Sequence, residues 1–248
     1  MSAAGQGSPE QAATAVRSAR SAPRLHARAV VIDLDGTLLD TVPDLAAAAN
    51  AMRAGLDLAP LPVATIATYV GKGADALVHR ALTASHDGRA VAADFERGRA
   101  LFFEHYAREN GRAAAPYPQV REGLAAMRAA GLRLACVTNK PGAFAAPLLD
   151  RTALAPFFEL LVAGDALPER KPDPAPMRHA ARLLGVPCAQ VVAIGDSVND
   201  ALAARAAGMA VLAVPYGYNE GRPVESLDVD GIVGTLLEAA GRIALPAA

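Results

Sequence analysis

Five short apolar runs divide the chain: Ala29 to Leu34, Leu132 to Val137, Leu160 to Val162, Val191 to Ile194 and Val211 to Val214. Each is closed by a turn residue or an acid, and runs this short and continuously apolar predict strands buried on both faces. Between them, Val120 to Ala130, Met177 to Leu184 and Asp200 to Ala207 are rich in Ala and Leu at helical spacing. Strand and helix in alternation predict an α/β fold with a Rossmann-like, doubly wound parallel sheet. In such a sheet ligands bind beyond the carboxyl ends of the strands, so the polar residues that follow each apolar run are the place to look for chemistry.

One interval breaks the alternation. Residues 42–112 contain helical patterns, among them the amphipathic stretch Ala92 to Asn110, but no strand pattern. They predict an inserted helical cap domain, with Pro43 near one edge and Pro116 and Pro118 beyond the other. The catalytic α/β core is then residues 27–41 and 113–248. Residues 1–26, rich in Ala, Ser, Gly and Arg, have no compact apolar segment of the kind a secretory leader carries, and are expected to form a disordered tail. Arg17, Arg20 and Arg24 give that tail a faint likeness to an organellar transit peptide.

Composition narrows the partners. The chain has 248 residues, 52% of them hydrophobic, which is enough to bury a sizeable core. Its 24 basic and 25 acidic residues leave a net charge of -1, so nothing favours nucleic acid or an anionic lipid surface. No stretch is apolar enough for a membrane helix. Cys136 and Cys188 form no metal-like pattern, and a reducing cytoplasmic location is expected. The five histidines are scattered. Gly71-Lys72-Gly73-Ala74-Asp75-Ala76 loosely fits a dinucleotide fingerprint, but no strand-helix-strand unit surrounds it.

Four segments carry the candidate chemistry. The first run ends in Asp33-Leu34-Asp35-Gly36-Thr37, two carboxylates two residues apart where the chain leaves the sheet. Close like charges separate carboxyl pKa values unless a cation compensates, which suits one acid to nucleophilic attack and the other to proton transfer. Magnesium, a hard cation that prefers oxygen, would keep Asp33 ionised. Thr138 and Asn139 follow the second run and offer a hydroxyl and an amide to a phosphoryl group. Lys171, ahead of Pro172, offers a balancing cation. Asp196 and Asp200 follow the fourth run, where Asp196 can ligate a metal and Asp200, one helical turn on, can hold a metal-bound water or the Lys171 ammonium. Each segment also has a plain structural reading, as a Gly-closed turn, a strand end, a solvated lysine or a helix cap. Their occurrence in one order, mostly at strand ends, favours the functional reading.

Together these segments resemble the haloacid dehalogenase superfamily, from about Val30 to Val233. The resemblance implies that Asp33 attacks phosphorus to form an aspartyl phosphate, and that Asp35 protonates the leaving alkoxide and then activates water. It implies a magnesium ion held by the Asp33 and Asp196 side chains and the Asp35 backbone carbonyl, with Asp200 behind them. Thr138, Asn139 and Lys171 would bind the phosphoryl oxygens. Members that cleave carbon–halogen bonds characteristically lack an acid at the position of Asp35. A closer likeness is to the bacterial phosphoglycolate phosphatases, through Tyr69 to Ala74, Tyr117-Pro118, Lys171 to Pro174 and Tyr216 to Asn219. It implies hydrolysis of 2-phosphoglycolate, with the Gly71-Lys72-Gly73 turn of the cap facing the site and Lys72 pairing with the substrate carboxylate. Other small-molecule phosphatases, pyrophosphatases and β-phosphoglucomutase-like mutases share the same core. Gln119 stands where that family often has glycine.

Overall fold

The computed structural model describes residues 24–247. Residues 1–23 of the expected tail lie outside them. Six parallel strands form the central sheet: β2 (Ala29–Ile32), β5 (Arg133–Val137), β6 (Leu160–Val162), β7 (Val191–Gly195), β8 (Ala210–Ala213) and β9 (Gly231–Ile232). Their order, β6-β5-β2-β7-β8-β9, places the first of them in the middle and reverses direction between β2 and β7. That reversal opens a crevice at the carboxyl ends of β2, β5 and β7.

Alternation along each strand divides the core into two layers. Val30, Ile32, Leu134, Cys136, Val192 and Ile194 face the helices Val120–Ala129 and Gly142–Arg151 through Leu124, Met127 and Leu148. Ala29, Val31, Ala135, Val137 and Ala193 face the helices Ala175–Leu183 and Val198–Ala207 through Met177, Ala181 and Ala204. Both faces are covered, which is why β2 reads as an unbroken apolar run.

Two-residue strands account for the differences from the expected layout. β1 (Leu25–His26) pairs in parallel with β10 (Ile243–Ala244), so the fold begins inside the segment that composition assigned to the tail. β9 joins the sheet edge on only two residues, too short a stretch to show a period. Gln119 adopts φ of 61° just before the helix Val120–Ala129, the left-handed conformation that glycine occupies without strain.

From residue 42 to residue 112 the chain forms helices and no strand: α1 (Val42–Ala54), α2 (Val63–Ala67), α3 (Ala74–Thr83) and α4 (Ala92–Glu109). They bury a third core of their own around Met52, Ile66, Val78 and Phe102. Pro43 lies in the first turn of α1, where its missing N–H costs nothing. The two chain crossings between this layer and the sheet pair antiparallel, as β3 (Leu39–Asp40) with β4 (Ala115–Pro116). Asp44 braces the crossing by accepting hydrogen bonds from the backbone N–H groups of Gly111 (2.7 Å), Ala113 (2.8 Å) and Ala114 (3.2 Å). No helix among the described residues is long and apolar enough to cross a membrane.

Candidate active site

Asp33 and Asp35 stand where β2 leaves the sheet, Thr138 where β5 ends and Asp196 where β7 ends, so three adjacent strands deliver them to one crevice. Lys171 arrives from a loop on the far side of β5 and is almost wholly buried. Its ammonium lies 2.6 Å from Asp200 Oδ1 and 2.8 Å from Asp33 Oδ1, and donates to the Val137 carbonyl at 2.7 Å. Burial alone would lower the Lys171 pKa, but Asp200 and Asp33 outweigh it and hold the ammonium protonated.

The acids are in the opposite condition. Burial pushes Asp33 up to about 8 despite the opposing charge of Lys171, and Asp196 up to about 7 with help from the charge of Asp200. Asp196 is fixed by the Thr37 hydroxyl, which donates to Oδ1 at 2.9 Å, and by the Tyr218 N–H, which donates to Oδ2 at 2.8 Å. Two glycines make room for it. A Cβ on Gly36, at φ of 89°, would sit 2.5 Å from Asp196 Oδ2, and one on Gly217 would sit 2.2 Å from Asp196 Cβ.

Carboxylate oxygens of Asp33, Asp196 and Asp200 all lie within 4.8 Å of one another. Asp200 is already engaged on both oxygens, one by Lys171 and the other by the Ser197 N–H and hydroxyl at the start of its helix. Asp33 Oδ1 is buried, and the Lys171 ammonium at 2.8 Å is the cation beside it. Two buried carboxylates with raised pKa values, their oxygens close together with that of Asp200, fit a hard, oxygen-seeking cation at Asp33 and Asp196, with Asp200 bracing from behind.

The remaining expected residues fall in three groups. Thr138 lines a cavity between sheet and helical layer together with Asp33, Asp35, Gly71 and Gly73. Asn139 also borders it, but its amide is committed elsewhere: Nδ2 donates to the Gly71 (3.0 Å) and Lys171 (2.8 Å) carbonyls while Oδ1 accepts from the Lys171 N–H. Rather than presenting donors to a phosphoryl group, it ties the lysine loop to the helical layer. Lys72 does not face the cavity. Its half-exposed ammonium points outward to Glu220 Oε1 at 3.2 Å, drawn by a carboxylate that the buried Arg80 already holds in place at 2.7 Å.

Several residues of the site carried no assignment from sequence. Lys140 is buried with Nζ 2.9 Å from Asp35 Oδ1, and Tyr106 packs beside it with the ring centre 4.8 Å from the ammonium. Thr37 lies inside the Asp33 motif, and Tyr218 inside the Tyr216 to Asn219 segment. The Tyr218 hydroxyl donates to Asp40 Oδ1 at 2.8 Å and accepts from the Thr41 N–H at 2.8 Å, which links the loop beside Asp196 to the crossing strands. Adjacency to a motif was the signal available for Lys140, Thr37 and Tyr218, whereas Tyr106, inside the amphipathic stretch Ala92 to Asn110, reads from sequence as packing within the helical layer.

A family model of haloacid dehalogenase-like hydrolases matches residues 27–208. A protein of Nitrosospira multiformis named phosphoglycolate phosphatase is 51% identical over 212 residues, 86% of this chain and 93% of that protein. One of the same name from Thiobacillus denitrificans is 50% identical over 213 residues, with 86% and 94% covered. The crystal structure of a predicted phosphoglycolate phosphatase from Haemophilus somnus superposes with a TM-score of 0.81 at 32% identity, covering 86% of this chain and 96% of that one.

Proposed function

The chain belongs to the haloacid dehalogenase-like hydrolases, and from that premise we propose that it is a magnesium-dependent, cytoplasmic phosphatase that hydrolyses 2-phosphoglycolate to glycolate and phosphate. The observation that carries the reading is the buried Asp33 carboxylate, set beside Lys171 and Asp196 at the mouth of a cavity that Asp35 also lines. Relatives of half-identical sequence that bear the phosphoglycolate phosphatase name support the choice of substrate.

Asp33 is the nucleophile. Its carboxylate oxygen forms a bond to phosphorus as the bond to the glycolate oxygen breaks, and that oxygen takes the proton of Asp35. In the second half, Asp35 removes a proton from water, the water oxygen attacks the phosphorus of the acyl phosphate, and Asp33 leaves as a carboxylate. Thr138 directs its hydroxyl at the phosphoryl oxygens, and Lys171, locked by Asp200 and the Val137 carbonyl, balances charge at Asp33 throughout. Magnesium held by Asp33 and Asp196 would keep the nucleophile ionised and screen the phosphoryl charge. The helical layer, with Leu77 and Phe102 on its inner wall, excludes bulk water.

The test is inorganic phosphate release with magnesium and with chelator. It compares the specificity constants of 2-phosphoglycolate, pyrophosphate and β-glucose 1-phosphate. A magnesium-dependent preference for 2-phosphoglycolate is expected. Isomerised sugar phosphate without phosphate release would instead identify a mutase, and a preference for pyrophosphate would move the substrate.

A further inference from the structure

With Lys72 turned outward, the cavity needs another cation if it is to discriminate for a substrate carboxylate. Among the described residues that line it, Lys140 is the one cation. Its side chain is 3% exposed, and its ammonium directs one N–H to Asp35 Oδ1 at 2.9 Å. Beside it stands Tyr106, 2% exposed and on the wall of the same cavity, whose buried hydroxyl has the Lys140 ammonium next to it and no acceptor for its own proton. The rest of that wall is apolar, through Val70, Leu77, Phe102 and Phe144. A buried hydroxyl in such surroundings is costly unless something arrives to accept its proton.

The position of the pair matches the leaving side of the substrate. In 2-phosphoglycolate the carboxylate carbon lies two bonds beyond the leaving oxygen, and that oxygen must face Asp35 to receive its proton. Lys140 contacts Asp35 directly, so a group just beyond the leaving oxygen falls beside its ammonium. Resting on the substrate reading above, we infer that the Lys140 ammonium and the Tyr106 hydroxyl together bind the substrate carboxylate. They would set a preference for phosphate esters that carry a second anion next to the scissile bond. A carboxylate there accepts a charge-assisted hydrogen bond from Lys140 and a second bond from Tyr106, in a pocket of low polarity where both count for more than in water. An ester without the second anion leaves the Tyr106 hydroxyl and the remaining N–H groups of Lys140 unmatched, the arrangement by which enzymes reject analogues most strongly.

The test compares 2-phosphoglycolate with ethyl phosphate, which lacks the carboxylate, in the wild type, Lys140→Met and Tyr106→Phe. Circular dichroism melts check that each variant is folded. Loss of Lys140 also frees Asp35, so both esters suffer a common loss, and the decisive quantity is the ratio of the two specificity constants. It is expected to fall about 100-fold in Lys140→Met and about 5-fold in Tyr106→Phe. Inhibition by glycolate should weaken in parallel. Tyr106→Phe removes one oxygen from the interior and serves should Lys140→Met not fold. An unchanged ratio in a folded variant, with wild type still preferring 2-phosphoglycolate, would overturn this inference alone. A wild type that turns over both esters equally would overturn the substrate reading and the inference together.

Discussion

Lys171 and Asp200 form an ion pair of 2.6 Å in which both side chains are 2% exposed, so neither charge has water to fall back on. Replacing Lys171 with Met leaves the Asp200 carboxylate buried without a cation. A loss of about 3–5 kcal/mol in urea unfolding of the metal-free protein is expected. The double variant Lys171→Met, Asp200→Asn should recover part of that stability and none of the activity, because the buried charge at Asp200 is gone while Asp33 still lacks the cation beside it. A double variant no more stable than the single one would show that the pair is not the source of the loss.

Stability without metal should fall as pH rises. Asp33 and Asp196 have folded-state values near 8 and 7 against an ordinary 3.8, so between these limits the folded protein holds protons that the unfolded chain releases. Stability is then greatest toward the acidic end and declines from about pH 4 to about pH 8. Magnesium, by favouring the ionised carboxylates, should flatten the slope, as should Asp33→Asn, which removes one titrating group and abolishes the acyl phosphate. Melting temperatures across that range, with chelator and with magnesium, make the check. A slope of the opposite sign would refute it.

Gly217→Ala should disable the site while Gly241→Ala does not. The added methyl at 217 would fall 2.2 Å from Asp196 Cβ, so the acid or the loop must move, whereas at 241 nothing lies within 4 Å. Magnesium-dependent thermal stabilisation is expected to disappear in Gly217→Ala. Gly241→Ala, near the end of the helix Leu236–Arg242, should be neutral or stabilising by up to about 1 kcal/mol.

Asp44 gathers three backbone N–H groups where the chain returns to the sheet. Asp44→Ala leaves them unmatched in a largely buried place, and a loss of about 2–4 kcal/mol is expected, with a smaller loss for Asp44→Asn, which keeps one acceptor oxygen. Hydrogen exchange should show faster opening at Gly111 to Ala114 before it shows faster global unfolding.

Much was already written in the linear chain. Apolar runs closed by turn residues or acids marked the strands β2, β5, β6, β7 and β8, because a strand covered on both faces is apolar at nearly every position. Asp33, Asp35, Thr138, Asp196 and Asp200 could be located from the same pattern, since each lies at or just beyond a strand end, while Lys171 stood out only as a cation ahead of Pro172 in a loop. Tertiary structure decided whatever depends on partners far apart in sequence. Lys140 meets Asp35 across 105 residues, and no local period encodes such a meeting. Asn139 was available to a phosphoryl group until the fold brought Gly71 and Lys171 to its amide, and Lys72 was available to a carboxylate until Arg80 fixed Glu220 beside it. β1 and β10 form only because the two ends of the fold meet. Hydrophobic period says which face of an element is covered, and only the assembled elements determine which polar side chains then find one another.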